Sequence, residues 1–356
     1  HNNNSLELYD PATGVWSIVG AVDYSNIDTV DARRYEYPRL HVLPDSTVIS
    51  MSPMTNQRLE KWHPYTDATD WDDVIAPPPE GIYDNGFAQD TTSVMLPLSP
   101  ADKYRARIMQ AGGSMPYILD LGNLAAGWIP APRTMVDHPN PGDMNPVREN
   151  ADAIILPTGE IFIEGGLKNG SNDSTGVRAP ETYNPVSGTW RVLPASPIVR
   201  GYHSTALLMP NGAVWVAGSN FNASPGLANR ELRIEIFEPW YFCGRRPTIT
   251  DVAPKACHGD RLVIRTPDAA DIQKVVLVRC GTVTHNFNSD QRHITLEFRR
   301  EKGDVILAEV PPEPNVVIVG YYLLFVIDST GRPSTGRFIQ ICKGRTRPPR
   351  PWFDPE

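Results

Sequence analysis

One stretch of the chain reads Ala153-Ile-Ile-Leu-Pro-Thr-Gly-Glu-Ile-Phe-Ile-Glu-Gly-Gly166, and it decides the fold. It holds an apolar strand, a turn at Leu-Pro, and a second apolar strand that ends in small residues. The unit returns as Ala206-Leu-Leu-Met-Pro-Asn-Gly-Ala-Val-Trp-Val-Ala-Gly218 and, less regularly, from His41 and from Ser93. The prolines of the four copies, at positions 44, 97, 157 and 210, are 53, 60 and 53 residues apart. A repeat of this length, built from short strands, is typical of a kelch-type β-propeller.

Each unit has a second part, which ends in an aromatic turn. The best copies run from Leu8 to Trp16 and from Thr182 to Trp190, and weaker copies are Trp62 to Trp71 and Phe237 to Trp240. With 35 prolines and 27 glycines, the chain is predicted to be all-β, with short strands and tight turns. We predict four blades, preceded by one orphan outer strand at residues 5 to 18. An orphan strand without a blade of its own predicts that the propeller begins upstream of His1.

The repeat stops near Arg245, and a different pattern follows. About seven runs of alternating apolar and polar residues, ending near Ile341, predict an immunoglobulin-like β-sandwich. The predicted division is therefore a propeller portion at 1–244, a sandwich at 245–343 and a proline-rich tail at 344–356. The longest apolar run, Val316 to Ile327, is too short to span a bilayer, so we predict no membrane span and a buried strand instead.

The charge pattern limits the classes of molecule that the protein is expected to bind. The formal net charge is −8 and it is spread along the chain, which argues against binding nucleic acid. Asparagine acceptor triplets begin at Asn3, Asn169, Asn172 and Asn222, and they mildly favour a secreted, extracellular protein.

The four cysteines all lie in the last third of the chain. No two of them have the Cys-x-x-Cys spacing of a zinc site. They can form up to two disulfides, with three possible pairings, or remain as buried thiols. The four are Cys243, Cys257, Cys280 and Cys342.

Two short strings hold the best candidates for chemistry. Tyr202-His203 lies within Arg200-Gly-Tyr-His-Ser204, and His285 lies within Gly281-Thr-Val-Thr-His-Asn-Phe. Two imidazoles and a phenolate would make a mixed nitrogen and oxygen site that suits Cu(II). Adjacent residues of a strand point to opposite faces, so Tyr202 and His203 can share a metal only where the strand ends or bends. His285 can join them only if its turn enters the axis of the propeller.

These strings resemble the galactose oxidase and glyoxal oxidase family of copper radical oxidases. The resemblance also rests on Tyr37-Pro-Arg-Leu-His41, Val216-Ala-Gly-Ser-Asn220 and Gly320-Tyr-Tyr-Leu-Leu324. It implies a secreted kelch propeller followed by an immunoglobulin-like domain. It also implies a copper ion bound by Tyr202, His203 and His285, with Tyr202 as the base that takes the proton of the alcohol.

The resemblance further implies a radical tyrosine bonded to a cysteine through a thioether. No cysteine precedes Cys243, so we expect this chain not to encode the Tyr-Cys cofactor. Tyr35 and Tyr37, which follow Arg33-Arg34, loosely resemble the radical tyrosine of the family. The string Tyr37-Pro-Arg-Leu-His41, however, matches the family's next blade better than the blade that holds that tyrosine.

Two functions remain open at this stage. The first is the C-terminal part of a copper radical oxidase that oxidises primary alcohols or aldehydes with O2 to give H2O2. Its propeller would be completed by an upstream segment or a second chain, and its substrate would be a carbohydrate or a small alcohol or aldehyde. The second is a non-catalytic extracellular binding or structural propeller, because fold does not determine function. A third alternative is a hydrolase, a lyase or a sugar-binding protein on the same scaffold.

Overall fold

The computed structural model describes residues 5–21, 39–51, 59–63, 67–75, 92–111, 115–132, 148–168, 176–220 and 230–344. Within these ranges the regular structure is β-strands, with a few short 3₁₀ turns. The predicted all-β class is confirmed. No helix in these ranges has the length and apolar character needed to cross a membrane.

The first part of the chain forms a hairpin and then four successive sheets. Strands adjacent in sequence pair antiparallel within each sheet, which is the meander of a propeller blade. The hairpin is β1 (Ser5–Asp10) and β2 (Val15–Ala21). The first sheet is β3 (Arg39–Val42), β4 (Val48–Met51), β5 (Leu59–His63) and β6 (Asp67–Ile75). The second is β7 (Ser93–Met95), β8 (Arg107–Gln110), β9 (Tyr117–Asp120) and β10 (Trp128–Pro130). The third is β11 (Glu149–Ile155), β12 (Ile161–Leu167), β13 (Glu181–Asn184) and β14 (Thr189–Val192). The fourth is β15 (Ser204–Leu208), β16 (Val214–Gly218) and β17 (Glu235–Phe237).

The sequence repeat corresponds to the first two strands of every sheet. In the third sheet, the Leu-Pro turn between β11 and β12 is closed by Gly159, whose φ is 89°. The aromatic turns correspond to the outer pairs, where Tyr183 lies opposite Trp190 with ring centroids 4.9 Å apart. The number of blades in the whole propeller stays a prediction.

Residues 5 to 18 were predicted as one orphan strand, and this is wrong. The chain reverses after Asp10, where Gly14 N donates to the Asp10 carbonyl oxygen at 2.8 Å, and the result is a two-stranded hairpin. Its Tyr9 and Trp16 rings pair at 5.1 Å, as Tyr183 and Trp190 do. The aromatic turn therefore marks a hairpin in both places.

The fourth sheet has three strands in the described residues. After β17 the chain enters a 3₁₀ turn at Trp240–Phe242, so the weak aromatic copy there does not form a hairpin. Tyr241 is fully buried, and its hydroxyl donates to the Gly212 carbonyl oxygen. This contact fixes the end of the propeller portion against the turn between β15 and β16.

Strand β11 is buried on both faces. Ala153 and Ile155 pack with the second sheet, in a cluster with Val94 and Met109. Ile154 packs on the opposite side, in a cluster with the fourth sheet. Burial on both faces explains why the repeat reads as a continuous apolar run rather than as an alternating pattern.

The C-terminal part is a sandwich of two sheets. About seven strands were predicted, and the two sheets contain nine, because several are only two or three residues long. In chain order the strands are β18 (Asp251–Val252), β19 (Lys255–Cys257), β20 (Arg261–Arg265), β21 (Ile272–Arg279), β22 (Val283–Thr284), β23 (Phe287–Asn288), β24 (His293–Leu296), β25 (Phe298–Arg300), β26 (Val305–Glu309), β27 (Gly320–Asp328) and β28 (Arg337–Cys342). The sheet orders are β18-β20-β26-β25 and β19-β28-β27-β21-β24, and β22 and β23 form a separate hairpin.

The apolar run ending at Ile327 forms most of β27, a central strand, as expected of a buried strand. A disulfide joins Cys257 to Cys342, while Cys243 and Cys280 are free thiols. The chain thus has one disulfide rather than two. The domain boundaries at 244 and 343 stay predictions, and residues 345–356 of the predicted tail lie outside the described residues.

The sandwich is hydrogen-bonded to the sheets that precede it. Leu98 exchanges backbone hydrogen bonds with His293 and Thr295, each at 2.9 Å. The Gln291 side chain accepts from Ile155 N at 3.1 Å and donates to the Ala153 carbonyl oxygen at 2.8 Å, so it extends the edge of β11. Hairpin β22–β23 ends just before Gln291 in the chain. The contacts of Gln291 with β11 therefore hold the base of this hairpin against the inner strands.

Candidate metal centre

Tyr202 and His203 lie in a tight turn immediately before β15. Ser204 N donates to the Gly201 carbonyl oxygen at 2.9 Å, and His203 has a φ of 62°. A left-handed residue breaks the alternation of a strand, so neighbouring side chains can lie on one side. The Tyr202 and His203 rings are stacked, with centroids 3.8 Å apart and an angle of 28° between planes. The expected bend is therefore present.

Small residues at the end of β16 make room for this turn. Gly218 has a φ of 77°, and a Cβ there would lie 2.7 Å from the His203 carbonyl oxygen. Asn220 N donates to the Tyr202 carbonyl oxygen at 2.7 Å, and Ser219 Oγ accepts from Gly201 N at 3.0 Å. The small residues that close the repeat unit thus allow the backbone carrying Tyr202 and His203 to approach β16 closely.

His285 forms the tip of hairpin β22–β23. The two turn residues, His285 and Asn286, have φ values of 49° and 59°, which is the pattern of a type I′ hairpin turn. His285 Nδ1 lies 2.7 Å from Thr284 Oγ1. Metal-binding histidines usually have such a hydrogen-bond partner on the ring nitrogen that does not bind the metal.

Asn286 anchors the hairpin tip to the inner strands. Its Nδ2 donates to Ser204 Oγ at 2.9 Å and lies 3.4 Å from Asp152 Oδ2 and from the Gly201 carbonyl oxygen. Ser204 Oγ donates in turn to Asp152 Oδ2 at 2.8 Å. Carboxylate and carbonyl oxygens accept but do not donate, so they fix which end of the amide faces them. The tip of the hairpin therefore enters the space between β11 and β15. An inward position of this turn is the condition that the sequence analysis set for His285 to join Tyr202 and His203.

The three predicted residues come together. The His203 and His285 ring centroids are 5.0 Å apart, and those of Tyr202 and His285 are 6.1 Å apart. Two imidazoles bound to one ion through nitrogen at about 2 Å have centroids roughly 4.5 to 6 Å apart. Two imidazoles and a phenol also match the ligand preference of Cu(II). The donor set and its spacing fit copper.

The surroundings of both imidazoles favour the neutral form of the ring. Partial burial lowers the pKa of His203, and burial together with the charges of His203 and Arg39 lowers the pKa of His285. A depressed histidine pKa favours the neutral ring, which is the form that coordinates metal ions.

Two buried carboxyl groups lie behind the candidate centre, as cross-strand partners on β11 and β12. Burial raises the pKa of Asp152 to about 6, against hydrogen bonds from Ser204 and Asn286 that lower it. Burial raises the pKa of Glu164 to about 8, and its Oε2 has no hydrogen-bond partner. The neighbouring buried arginines Arg148 and Arg200 form ion pairs with other residues, Glu181 and Glu235.

Three other histidines of the described residues have structural partners. His41 Nε2 lies 2.8 Å from Ser93 Oγ, His258 Nε2 lies 2.6 Å from the Val317 carbonyl oxygen, and His293 Nε2 lies 3.0 Å from the Pro157 carbonyl oxygen. Tyr35, Tyr37 and His138 lie outside the described residues. In the part of the chain that the structure describes, no three His, Cys, Asp or Glu side chains form a metal-binding group.

Sequence reasoning missed two residues that support the centre. Arg39 donates from Nη2 to the His285 carbonyl oxygen at 2.8 Å, and Asn286 anchors the hairpin tip. Asn286 had a local signal, since Asn tolerates the positive φ of a two-residue hairpin turn. Arg39 lies in the Tyr37-Pro-Arg-Leu-His41 string that carries the resemblance, but no local pattern gave it a role, because its contact joins residues that are remote in sequence.

Both the propeller portion and the sandwich match known protein families. Residues 76–241 match the family described as glyoxal oxidase N-terminus, and residues 246–341 match the galactose oxidase-like early set domain. The chain belongs to the galactose oxidase and glyoxal oxidase family. The early set domain is immunoglobulin-like, in agreement with the predicted sandwich.

Relatives in this family include a galactose oxidase and an aldehyde oxidase. The chain is 36% identical over 204 residues to a galactose oxidase of Gibberella zeae, a match that covers 54% of this chain and 29% of the relative. It is 27% identical over 372 residues to the aldehyde oxidase GLOX of Vitis pseudoreticulata, covering 95% of this chain and 68% of that protein. The chain therefore spans less than a third of the length of the galactose oxidase that it matches.

A solved structure supports the fold of this family member. A fungal alcohol oxidase of the AA5 family, in complex with copper, superposes with a TM-score of 0.74 at 20% identity. The match covers 94% of this chain and 69% of that protein. At this level of identity the likeness establishes the fold.

Proposed function

We propose that this chain carries the copper-binding part of a secreted copper radical oxidase-like protein. Tyr202, His203 and His285 are the metal ligands. The observation that supports this most directly is that the three rings meet although they come from a turn of the fourth sheet and a hairpin of the sandwich. The two family matches and the copper-containing structural relative support copper as the cofactor of the family.

The reaction we propose is the oxidation of a primary alcohol or an aldehyde by O2. With an alcohol, the substrate loses two hydrogens to become an aldehyde, and O2 takes them up as H2O2. Copper, when bound, supplies a one-electron acceptor. Tyr202 supplies the base, because its phenolic oxygen can accept the hydroxyl proton of the substrate when ionised. The two imidazoles would hold the metal, and Asn286 fixes the position of the second imidazole.

The oxidase also needs a second one-electron partner. In this family that partner is a tyrosine linked to a cysteine, and the first cysteine of this chain is Cys243. We propose that an upstream segment or a second chain completes the propeller and supplies this cofactor. Carbohydrates and small alcohols or aldehydes are the substrate classes, and the location is extracellular.

The alternative is a non-catalytic binding or structural propeller of the same family. The sequence observation that favours it is the one just given, that no cysteine precedes Cys243. Under this alternative the protein gives no H2O2 from any primary alcohol or aldehyde, even when it is supplied with copper and an oxidant.

Copper titration of the purified chain tests the metal site. We expect one copper ion per chain in wild type, with the electron paramagnetic resonance signal of nitrogen-ligated Cu(II). His203→Ala and His285→Ala should each weaken binding by more than the roughly 10- to 100-fold that loss of an outer partner costs. His258→Gln, remote from the centre, is the matched control. Equal copper content in all four proteins would refute the site.

Intact mass under denaturing, non-reducing conditions then separates the two functions. A larger native chain, or a companion chain carrying a Tyr-Cys crosslink, supports the oxidase. A mass that matches the 356 residues alone, without a companion, supports the binding or structural protein.

A further inference from the structure

Arg39 joins the first sheet to the tip of hairpin β22–β23. It begins β3, its side chain is 2% exposed, and its Nη2 donates to the His285 carbonyl oxygen at 2.8 Å. Its guanidinium carbon lies 5.2 Å from the centroid of Phe287, the residue that follows the turn. A buried guanidinium is costly to desolvate, so a contact of this kind needs a compensating role.

The carbonyl group that Arg39 binds lies in the turn of the hairpin, beyond the last paired residues of the ladder. In a two-residue turn the ladder closes between the flanking residues, Thr284 and Phe287. Donation from the buried Arg39 side chain to this oxygen therefore fixes the peptide plane beside the imidazole.

A second contact from the same strand holds the same hairpin. His41 lies two residues after Arg39, on the same face of β3, and its ring meets Phe287 edge-on at 5.4 Å. His41 Nε2 is itself held 2.8 Å from Ser93 Oγ of β7. The Arg39 side chain is thus part of a rigid support formed by the first two sheets.

We propose that Arg39 is a positioning residue for His285. It binds the backbone of the hairpin tip and places a permanent positive charge beside the centre. This inference rests on the proposed copper site. It adds a support from β3 to the ligands that come from the fourth sheet and the sandwich. Outer partners of metal ligands govern both affinity and redox potential.

Arg292 offers a matched control. It is also a buried arginine, 3% exposed, and it also bridges the sandwich and β3, through donation to the Val42 carbonyl oxygen. Its other side-chain donations go to the carbonyl oxygens of Asn315 and of Val316, the latter at 3.1 Å, and neither acceptor belongs to the hairpin tip. Arg292→Gln therefore removes a comparable interdomain contact without touching His285.

The experiment compares wild type, Arg39→Gln, Arg39→Lys and Arg292→Gln. We expect Arg39→Gln to weaken Cu(II) binding about 10- to 100-fold and to change the copper paramagnetic signal. Its Cu(II)/Cu(I) potential should fall, since a positive charge beside the metal favours the reduced ion. Arg39→Lys keeps the charge and one donor, so it should lose less affinity and keep most of the potential. It also replaces Arg39→Gln if that variant does not fold.

A copper-free measurement keeps the two proposals separate. In histidine-labelled protein without metal, the His285 ring resonances should move in Arg39→Gln and stay in place in Arg292→Gln. If wild type binds no copper but these resonances move, the copper site fails and the positioning role stands. If copper binds to wild type and Arg39→Gln equally, with the same signal and unmoved resonances, the role of Arg39 is overturned. An equal effect of Arg292→Gln would overturn it as well.

Discussion

His203 lies in the turn before β15 and His285 at the tip of hairpin β22–β23, yet their ring centroids are 5.0 Å apart. The two rings meet because the hairpin tip is anchored to β11 and β15 through Asn286. The candidate centre therefore exists only when the C-terminal sandwich is docked on the sheets. Binding of metal by residues from both parts should stabilise that docking, because a ligand stabilises the state that binds it.

Tyr202→Phe should keep most of the copper and lose most of the turnover. Phenylalanine can still stack on His203, where the tyrosine ring now lies at 3.8 Å, so the turn should be preserved. The lost phenolic oxygen removes the proposed base, and general base catalysis contributes about 100- to 10,000-fold. The measurement is peroxide release from a primary alcohol or aldehyde, beside copper content, in material that shows activity. Undiminished activity in Tyr202→Phe would remove the residue from the mechanism.

Asn286→Ala and Asn286→Gly should separate backbone strain from anchoring. Both variants lose the donation to Ser204 Oγ, so both should weaken copper binding. Alanine also meets the positive φ of 59°, which costs an ordinary residue roughly 1 to 2 kcal/mol and costs glycine little. Asn286→Ala should therefore be the less stable of the two by about that amount in denaturant unfolding.

Thr282→Ala provides the control for the Asn286 variants. Thr282 is exposed at the base of the same hairpin, where its hydroxyl lies 2.9 Å from Ser289 Oγ. Its loss should leave copper affinity unchanged. If Asn286→Gly binds copper as wild type does, the amide anchor is not what places His285.

The repeat predicted the inner strands of the sheets well, because its signal is local. Ala153 to Gly166 contains both strands and the turn between them. The hairpin at residues 5–21 was misread as one strand, since its turn was taken as part of an outer strand. Pairing of Tyr9 with Trp16 across the hairpin shows that the aromatic spacing itself encoded the reversal.

The site was predictable in its ligands but not in its supports. Tyr202 and His203 are adjacent in sequence, and the rule of alternation already required a bend there. Arg39 and Asp152 contribute through contacts with residues far along the chain, Arg39 to His285 and Asp152 to Asn286. Such contacts depend on how the sandwich docks, and no spacing or periodicity in one sequence encodes that geometry.

Glu164→Gln should change how stability depends on pH. Burial raises the pKa of Glu164 to about 8 from an ordinary value of 4.5. Below pH 4.5 the folded and unfolded chains both hold the proton, so the residue adds no pH dependence. Between pH 4.5 and 8 the unfolded chain releases the proton and the folded chain keeps it, so wild type loses stability as the pH rises. Glutamine cannot ionise, and the variant escapes this loss.

The expected result is a stability difference, variant minus wild type, that grows with pH over that window. Its slope should approach about 1.4 kcal/mol per pH unit, and it should level off above pH 8. Denaturant unfolding at several pH values measures it, with Glu238→Gln, the same substitution at an exposed glutamate, as the control. A flat difference for Glu164→Gln as well would mean that Glu164 ionises in the folded protein as easily as in the unfolded chain. In that case a donor must satisfy the Oε2 oxygen that is left without a partner behind the centre.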